Sequence, residues 1–290
     1  MSTTNQINLS TDRFAVNFNP NTHIAEVILN RPKRMNTMDK AFFSEFLKII
    51  RALDENKEVF VILIKSTPID QCPHFSAGLD LKSITSDLMP SDDSSTELSP
   101  AVSNLKLSAI IYEMQQAFRA LEKTNKPVIA AVNGMCIGGA IDLITACDIR
   151  YCTKDSMFSI KETRVGITAD LGTLNRIHRI VGRGFAREMA FTGDDFGAAR
   201  AHHFGLVNQV FDTQKEMFDA AQKLALSIAS NSPLVVQATK HVMNYAEEHS
   251  IDDGLDYVRL WNSAFLKSED LTEAFMAFME KRKPKFQNRL

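Results

Sequence analysis

The hydrophobic pattern of the N-terminal part predicts a hairpin, an amphipathic helix and a buried strand. Apolar residues recur through 13–18 and 24–29, and the turn-forming sequence Asn19-Pro-Asn-Thr22 separates them, which is typical of a β-hairpin. From 39 to 56 the apolar residues follow helical spacing. Residues 60–65 are almost continuously apolar, so we expect a fully buried strand there.

The alternation of strand and helix patterns continues as far as residue 212. Further strands are predicted at 128–132, at 149–152 and at about 206–211, with helical patterns between them. Such alternation is typical of an α/β fold with a mostly parallel sheet and right-handed crossovers. We therefore predict one core domain over residues 1–212.

Two regions depart from this alternation. Residues 83–103 have no apolar periodicity, and we predict a long mobile loop there. From 213 to 280 the pattern is helical throughout, with one interruption at Asn231-Ser-Pro233, so 213–290 is predicted to be a separate helical region. Between the loop and the next strand, one apolar stripe predicts a helix through Leu107, Ile110, Ile111, Met114, Phe118 and Leu121.

The composition excludes several classes of protein. The 290 residues are 44% hydrophobic and 23% charged, as in an ordinary globular protein. A net charge of −2 indicates no positive surface for nucleic acid or an anionic membrane. No apolar run reaches the ~18–20 residues that are needed to cross a bilayer. The four cysteines form neither a C-x-x-C pair nor a zinc spacing with histidine, so we predict free thiols and no metal site.

The cysteines and the termini bear on location. Free thiols are typical of a reducing compartment. The first residues contain neither a hydrophobic signal core nor an Arg-rich presequence. The ending Asn288-Arg-Leu290 is close to the peroxisomal Ser-Lys-Leu address without matching it. We therefore expect a soluble intracellular protein, cytoplasmic if the source is bacterial, and a peroxisomal location stays open.

A strand that leads into glycines and then a helix is the first candidate binding feature. After the apolar strand, the sequence Asn133-Gly-Met-Cys-Ile-Gly-Gly139 leads into the apolar helical pattern of 141–147. The first N–H groups of a helix have no partner inside it, so such a turn can bind an anion or a carbonyl oxygen that becomes negative. A Gly-Gly turn alone is also typical of close packing, so the interpretation depends on further features.

A second turn of this kind follows the strand at 60–65. Its sequence is Phe75-Ser-Ala-Gly-Leu-Asp80, with glycine again beside small or apolar residues. Two such turns can each supply one N–H group to the same oxygen, which is the construction of an oxyanion hole. Three acids among apolar neighbours, Asp142, Glu162 and Asp170, make the set more specific than either turn. Taken alone, Glu162 would be a surface acid and Asp170 a helix N-cap.

At these residues the chain resembles the crotonase superfamily, also called the enoyl-CoA hydratase/isomerase family. The resemblance extends from about residue 14 to the C-terminus and includes Leu29-Asn-Arg-Pro32 and Asn36. Within the family the chain is most similar to the Δ3,5-Δ2,4-dienoyl-CoA isomerases. The segments that carry this closer similarity are 136–152, Lys161-Glu162, Ala169-Asp-Leu-Gly-Thr173 and 255–262.

The resemblance implies both a fold and a reaction. The fold is an α/β crotonase spiral of β-β-α units with an acyl-CoA site in the core domain. A C-terminal helical region associates the subunits into homotrimers, often paired into hexamers. The reaction is isomerisation of 3,5-dienoyl-CoA to 2,4-dienoyl-CoA in fatty-acid β-oxidation. No cofactor is implied, because CoA is part of the substrate, and the implied partners are acyl-CoA and further copies of the chain.

The resemblance also assigns the candidate site residues. Glu162 and Asp170 are the proton-transfer pair, with Glu162 assigned to C2 and Asp170 to C6 of the acyl chain, since one carboxyl does not easily reach both carbons. Asp142 tunes or orients that pair, because nearby carboxylates raise one another's pKa. The oxyanion hole consists of the backbone N–H groups of Leu79 and Gly139. The substrate-binding residues are Ser76, Ala77, Gly78, Leu79, Asp80 and Gly139.

Other functions stay open. In the hydratases of this family, two glutamates hold a water, whereas this chain has Asp142 at one of those positions and the additional acid Asp170. Another family reaction, such as hydration, is therefore disfavoured but remains an alternative. A non-catalytic or RNA-binding crotonase-fold protein is disfavoured by the charge and by the intact acids. A hydrolase built on His74 and Ser76 is disfavoured because no acid is placed to orient the histidine.

Overall fold

A six-stranded sheet forms the centre of the fold in a computed structural model that describes residues 9–83 and 99–286. The first two strands are antiparallel and the other pairs are parallel, which confirms the predicted hairpin and the mostly parallel sheet. In spatial order the strands are β1 (Phe14–Asn19), β2 (Ile24–Leu29), β3 (Val61–Ser66), β4 (Val128–Val132), β6 (Ile149–Thr153) and β9 (Gln209–Phe211).

A smaller, three-stranded sheet lies beside the first. Its strands are β5 (Met135–Ile137), β7 (Met157–Ser159) and β8 (Phe196–Gly197). β5 follows β4 after a short turn, and β7 follows β6 in the same way, so each of these main strands is continued by a strand of the small sheet. A helical segment comes after each pair. This repetition is the predicted spiral of β-β-α units, and it aligns the turns that follow β5 and β7.

Ten α-helices and two 3-10 helices lie wholly within the described residues, and residues 81–83 are also helical. The first helix begins where the Asp39 carboxylate accepts the Phe42 N–H group at 3.0 Å as its N-cap, and it confirms the helix predicted from residue 39. The α-helices are α1 (Lys40–Glu55), α2 (Pro100–Lys123), α3 (Gly139–Thr145), α4 (Thr173–Val181), α5 (Arg183–Thr192), α6 (Ala198–His203), α7 (Gln214–Ala229), α8 (Pro233–Ala246), α9 (Ile251–Phe265) and α10 (Glu269–Met279). The 3-10 helices are Pro32–Arg34 and Lys161–Val165.

The main sheet is buried on both faces. Ile62 and Ile64 of β3 belong to the larger apolar core, whereas Val61 and Leu63 face a second core. Successive side chains of a strand point to opposite faces, so the uninterrupted apolar run follows directly from burial on both sides. The second core is completed by apolar residues of α7, including Met217. The division of the chain at residue 212 stays a prediction.

The structure corrects two predicted boundaries. Helix α2 begins at Pro100, inside the segment predicted as a loop, because proline suits the first turn of a helix. Residues 84–98 of that loop, and the ending Asn288-Arg-Leu290, lie outside the described residues. The last strand begins at Gln209 rather than near 206, since Gly205 (φ 82°) and the bond from Leu206 N–H to Ala201 O close helix α6 first.

The C-terminal helices break more often than predicted. Beyond the interruption at 231–233, new helices begin after Ser250 and Ser268, whose hydroxyls accept N–H groups of the following turns. A buried lysine, Lys240, ties α8 to the core by donating to the carbonyls of Leu121 and Lys126 at 2.9 and 3.0 Å. Helix α9 has no buried residue. Across 9–83 and 99–286, no helix combines the length and apolarity that crossing a membrane requires.

Candidate active site

The first turn that supplies an N–H group is held by hydrogen bonds on both sides of Leu79. Met38 N–H donates to Gly78 O at 2.9 Å, and Asp80 N–H donates to Met38 O at 2.9 Å. The N–H of Leu79 lies between these two bonded groups. It donates to no other atom in the part of the chain that the structure describes, so it is available to an added oxygen.

The second turn begins helix α3. Gly138 has φ 56° and ψ −121°, a conformation that favours glycine, and its N–H donates to Ser159 O at 2.9 Å. Gly139 is the first residue of the helix, so its N–H has no intrahelical acceptor. Within the described segments it has no other acceptor either.

The two turns are in close backbone contact. Ser76 and Cys136 form a parallel bridge between them. A Cβ atom on Gly78, which has φ 84°, would lie 2.5 Å from Ile137 O and 3.5 Å from Gly139 N. Glycine at 78 is therefore required for the close approach of the two turns. That their N–H groups serve one oxygen stays a prediction.

Asn36 is a structural centre of the first turn. It is buried in a left-handed conformation with φ 52°. Its Nδ2 donates to the carbonyls of His74 and Phe75 at 3.1 and 3.0 Å, and its carbonyl accepts from Ser76 Oγ at 2.8 Å. That hydroxyl also accepts the N–H of Gly78 at 3.1 Å. Asn36 is one of the residues that carry the family resemblance. The sequence does not reveal its hydrogen-bond partners, because they lie far along the chain.

The same bonds remove support for a hydrolase at His74 and Ser76. The Ser76 hydroxyl is engaged by Asn36 and Gly78, and it is fully buried. His74 Nδ1 accepts the N–H of Met135 at 3.3 Å instead of contacting the serine. Neither side chain is arranged as a nucleophile and its base.

Glu162 lies against the second turn. Its side chain is 7% exposed, and a Cβ atom on Gly138 would lie 3.3 Å from its Oε1. Its other oxygen, Oε2, is buried and has no hydrogen-bond partner among the described residues. Burial, and then the nearby Asp142 and Asp170 carboxylates, raise the pKa of Glu162 to about 7. A carboxyl with this pKa can gain and lose a proton at neutral pH.

Asp142 has a structural contact that its position in the sequence does not reveal. Its Oδ1 accepts the N–H of Thr173 at 2.6 Å and so caps the start of helix α4 from another part of the chain. The side chain is 1% exposed, and burial raises its pKa to about 6, although the bond from Thr173 opposes the shift. Asp170 is not the N-cap of α4, because Gly172 occupies that position.

Asp170 differs from the other two acids in being exposed. Its backbone carbonyl accepts from Gln115 Nε2 of helix α2 at 2.6 Å. Partial burial among neighbouring groups raises the pKa of its carboxyl. The Asp170 charge in turn raises the pKa values of both Glu162 and Asp142. The three predicted acids are therefore brought together at one site.

An open groove with a volume of about 360 Å³ lies along one face of helix α2, and every residue that lines it belongs to that helix. Gln115, one of its lining residues, makes the bond to Asp170. Leu107 and Ile111 of the predicted apolar stripe also line it, whereas Phe118 and Leu121 of the same stripe are fully buried. The remaining lining residues are Asn104, Ser108 and Tyr112.

The described residues contain no cluster of three or more His, Cys, Asp or Glu side chains that could hold a metal ion. The four cysteines are free and buried. The predicted lack of a cofactor stays a prediction.

Similarity to known proteins agrees with this geometry. Residues 19–289 match the family described as enoyl-CoA hydratase/isomerase. The chain is 46% identical to the mitochondrial Delta(3,5)-Delta(2,4)-dienoyl-CoA isomerase of Dictyostelium discoideum, over 92% of this chain and 89% of that one. It is 44% identical to the peroxisomal enzyme of that name from Arabidopsis thaliana, over 92% and 94%.

Hydratases of the family are also similar. The short-chain-enoyl-CoA hydratase of Clostridium acetobutylicum is 31% identical over 92% of this chain and 95% of that one. The crystal structure of an enoyl-CoA hydratase from Bacillus anthracis superposes with a TM-score of 0.84 at 25% identity, covering 96% of this chain and all of that one. From these matches and the shared spiral fold, we conclude that the chain belongs to the enoyl-CoA hydratase/isomerase family.

Proposed function

We propose that this chain is an isomerase that converts 3,5-dienoyl-CoA to 2,4-dienoyl-CoA in fatty-acid β-oxidation. The observation that carries the proposal is the meeting of three carboxyls, Asp142, Glu162 and Asp170, beside two turns with available N–H groups. The two relatives that are 46% and 44% identical are named for this activity, which supports the assignment.

The reaction moves one proton off the acyl chain and one onto it. A base removes a proton from C2, and the electrons of that bond form the C2–C3 double bond. The C3–C4 double bond shifts to C4–C5, and the electrons of the C5–C6 double bond move to C6, which takes up a proton. The product is an isomer of the substrate, so the reaction consumes neither water nor an oxidant.

Negative charge collects on the thioester oxygen when C2 of the acyl chain loses its proton. The N–H groups of Leu79 and Gly139 are the donors in our proposal, because both are unpaired and their turns are in contact. Such preorganised donors stabilise the enolate without reorganising during the reaction. The rest of the 76–80 turn would hold the thioester through its backbone.

Glu162 is the proposed base at C2, and Asp170 the proposed acid at C6. A buried carboxyl with a pKa near 7 is suited to taking a weakly acidic proton at neutral pH. Gln115 lines the groove along α2 and bonds to the backbone carbonyl of Asp170, which supports the assignment of Asp170 to the more distant carbon. Asp142 contributes by raising the pKa of Glu162 and by holding the Asp170 turn through Thr173.

Hydration of enoyl-CoA is the second candidate, since a hydratase is 31% identical over most of the chain. The two reactions are separated by offering the protein a 3,5-dienoyl-CoA and a 2-enoyl-CoA side by side. An isomerase produces a new near-ultraviolet absorbance from the first as the diene becomes conjugated with the thioester. It leaves the second largely unchanged. Efficient hydration of the 2-enoyl-CoA without isomerisation would overturn the proposal.

Asp170→Asn is the matched variant for this assay. The change keeps the size and hydrogen-bonding capacity of the side chain but removes its proton transfer, so isomerisation should be lost. Deuterium from heavy water should still enter C2 if Glu162 works at that carbon. Full isomerase activity in Asp170→Asn would refute the two-carboxyl mechanism.

We also propose that the chain self-associates into trimers or hexamers. Leu255, Leu260, Phe275 and Phe278 of the last two helices are 60%, 60%, 64% and 80% exposed, and large apolar side chains grouped on exposed helices are typical of a protein–protein interface. Light scattering at micromolar concentration should give three or six times the mass of one chain. Phe278→Asp should reduce that mass. The control is Phe191→Asp, which changes an exposed phenylalanine on the surface of the core domain and should leave the mass unchanged. A stable monomer would contradict the proposal.

The proposed compartment is a reducing one inside the cell, because the four buried thiols are free. The Dictyostelium relative is named as mitochondrial and the Arabidopsis relative as peroxisomal. Imaging the full chain with its own termini, in its own host, distinguishes these compartments.

A further inference from the structure

The turn that carries Asp170 is attached to helix α2 by two side chains that lie seven residues apart. Gln115 Nε2 donates to Asp170 O at 2.6 Å. Glu122 accepts from Arg176 Nε and Nη2 at 2.5 and 2.9 Å, and Arg176 Nη1 donates to Leu171 O at 3.3 Å. Positions seven apart lie on one face of a helix. Two consecutive carbonyl groups of the turn are therefore held from the same face of α2.

The backbone around Asp170 is shaped for these attachments. Gly172 has φ 118°, and a Cβ atom there would lie 2.0 Å from Arg176 Nη1, so glycine is needed for the guanidinium to approach. On the other side, Asp142 Oδ1 holds the N–H of Thr173. The Asp170 carboxylate itself receives no hydrogen bond from another side chain within 9–83 and 99–286. Its position therefore depends on the backbone that carries it.

We infer that Gln115 is a positioning residue. By holding the backbone of Asp170, it directs the Asp170 carboxyl toward the distal carbon of the substrate. The inference rests on the proposed isomerase function. Gln115 makes the direct bond, whereas Glu122 acts one step further away through Arg176. Proton removal by Glu162 takes place on a different turn and does not depend on Gln115. The two proton transfers are thus separable by a substitution that touches neither carboxyl.

The test uses Gln115→Leu with Gln116→Leu as its control. Both variants replace a glutamine of the same helix by leucine, but Gln116 makes no bond to the Asp170 turn. Isomerisation of a 3,5-dienoyl-CoA is followed by absorbance, and deuterium entry at C2 of recovered substrate is followed by mass spectrometry. Gln115→Leu should slow isomerisation about tenfold, since small misplacements of a reacting group are costly. It should leave C2 exchange unchanged. Gln116→Leu should change neither rate.

A double-mutant cycle separates positioning from a general structural defect. In an Asp170→Glu background, which keeps the carboxyl but lengthens the side chain, Gln115→Leu should cause clearly less than its own tenfold loss of isomerisation, because the group that it positions is already displaced. Glu122→Gln should produce a smaller loss in the same direction. An equal fall of both rates in Gln115→Leu, an additive loss in the double variant, or no change at all would each overturn the inference. Failure of the wild type to isomerise the substrate would instead overturn the proposed function.

Discussion

Glu162 and Asp170 are the two proposed proton-transfer groups, and they are supported in opposite ways. The 3-10 turn of Glu162 is fastened by its flanking side chains, with Thr163 Oγ1 donating to Ala190 O at 2.6 Å and Arg164 Nε to Thr192 O at 3.0 Å. Its carboxyl is buried. Asp170 is exposed, and only its backbone is held by other elements.

The difference teaches how one site can contain a base and an acid of the same chemical type. Burial raises the pKa of Glu162 to about 7. A large fraction of the Glu162 carboxyl is therefore ionised at neutral pH and able to accept a proton, which it then holds more tightly than an ordinary glutamate does. Asp170 keeps contact with solvent, through which it can exchange its proton, and partial burial raises the pKa of its carboxyl as well. Environment, more than residue type, assigns the two roles.

The largest effect is expected from Glu162→Gln. If Glu162 removes the proton from C2, this change should lower the rates of isomerisation and of C2 exchange together, each by about 10²–10⁴-fold. Asp170→Asn should lose isomerisation but keep C2 exchange. Absorbance and deuterium incorporation, measured on both variants, test the asymmetry directly. Persisting C2 exchange in Glu162→Gln would reverse the assignment of the two carbons.

Gly139→Pro tests the oxyanion turn that both steps share. Proline lacks the N–H group and is tolerated at the first position of a helix, so the donor is removed where the fold can accept the change. Turnover and C2 exchange should both fall by about 10²–10³-fold. Gly139→Ala is the control, since it keeps the N–H, and its Cβ would only touch Leu79 and Met38 at 3.4 Å. Unchanged turnover in a folded proline variant would rule out this donor.

The pH profile should report the Glu162 carboxyl. The base works when ionised, so the titration of Glu162 should make kcat/KM fall about tenfold per pH unit below a midpoint near 7. Asp142→Asn keeps an oxygen for the Thr173 N–H but removes a like charge. The midpoint should therefore move to lower pH by up to about one unit. A midpoint that stays fixed in this variant would argue against coupling between the two acids.

The smallest effect is expected on stability. Because the folded pKa of Glu162 is raised, the folded chain binds its proton more tightly than the unfolded chain, so stability falls as pH rises from about 4.5 to about 7. Glu162→Gln removes this cost. Its free energy of unfolding should exceed that of the wild type by ~1–3 kcal/mol at pH 8, with the gain disappearing near pH 5. Denaturant unfolding at the two pH values measures it, and Asp170→Asn should show a smaller difference.

Local features allowed much of the fold and the membership of the site to be predicted. The hairpin at 14–29 follows from apolar alternation around Asn and Pro, and the strand at 128–132 from an apolar run that is buried on both faces. Gly78 and Gly138 adopt positive φ values that favour glycine, so the two turns are visible in the sequence as glycines after strands. Burial patterns and backbone restrictions act on neighbouring residues, which is why they can be read along the chain.

Helix caps that the periodicity does not reveal, and contacts between distant segments, decided the rest. The hydroxyls of Ser250 and Ser268 begin new helices inside a pattern that predicted continuous helix, because a cap competes with local periodicity. Asp142 caps a helix that begins 31 residues away, and Gln115 bonds to a carbonyl 55 residues away. The sequence by itself determined which acids and which glycine turns are candidates for the site. Only the tertiary structure decided that Glu162 is buried and Asp170 exposed, because a pKa depends on atoms that surround a group in space, whatever their distance along the chain.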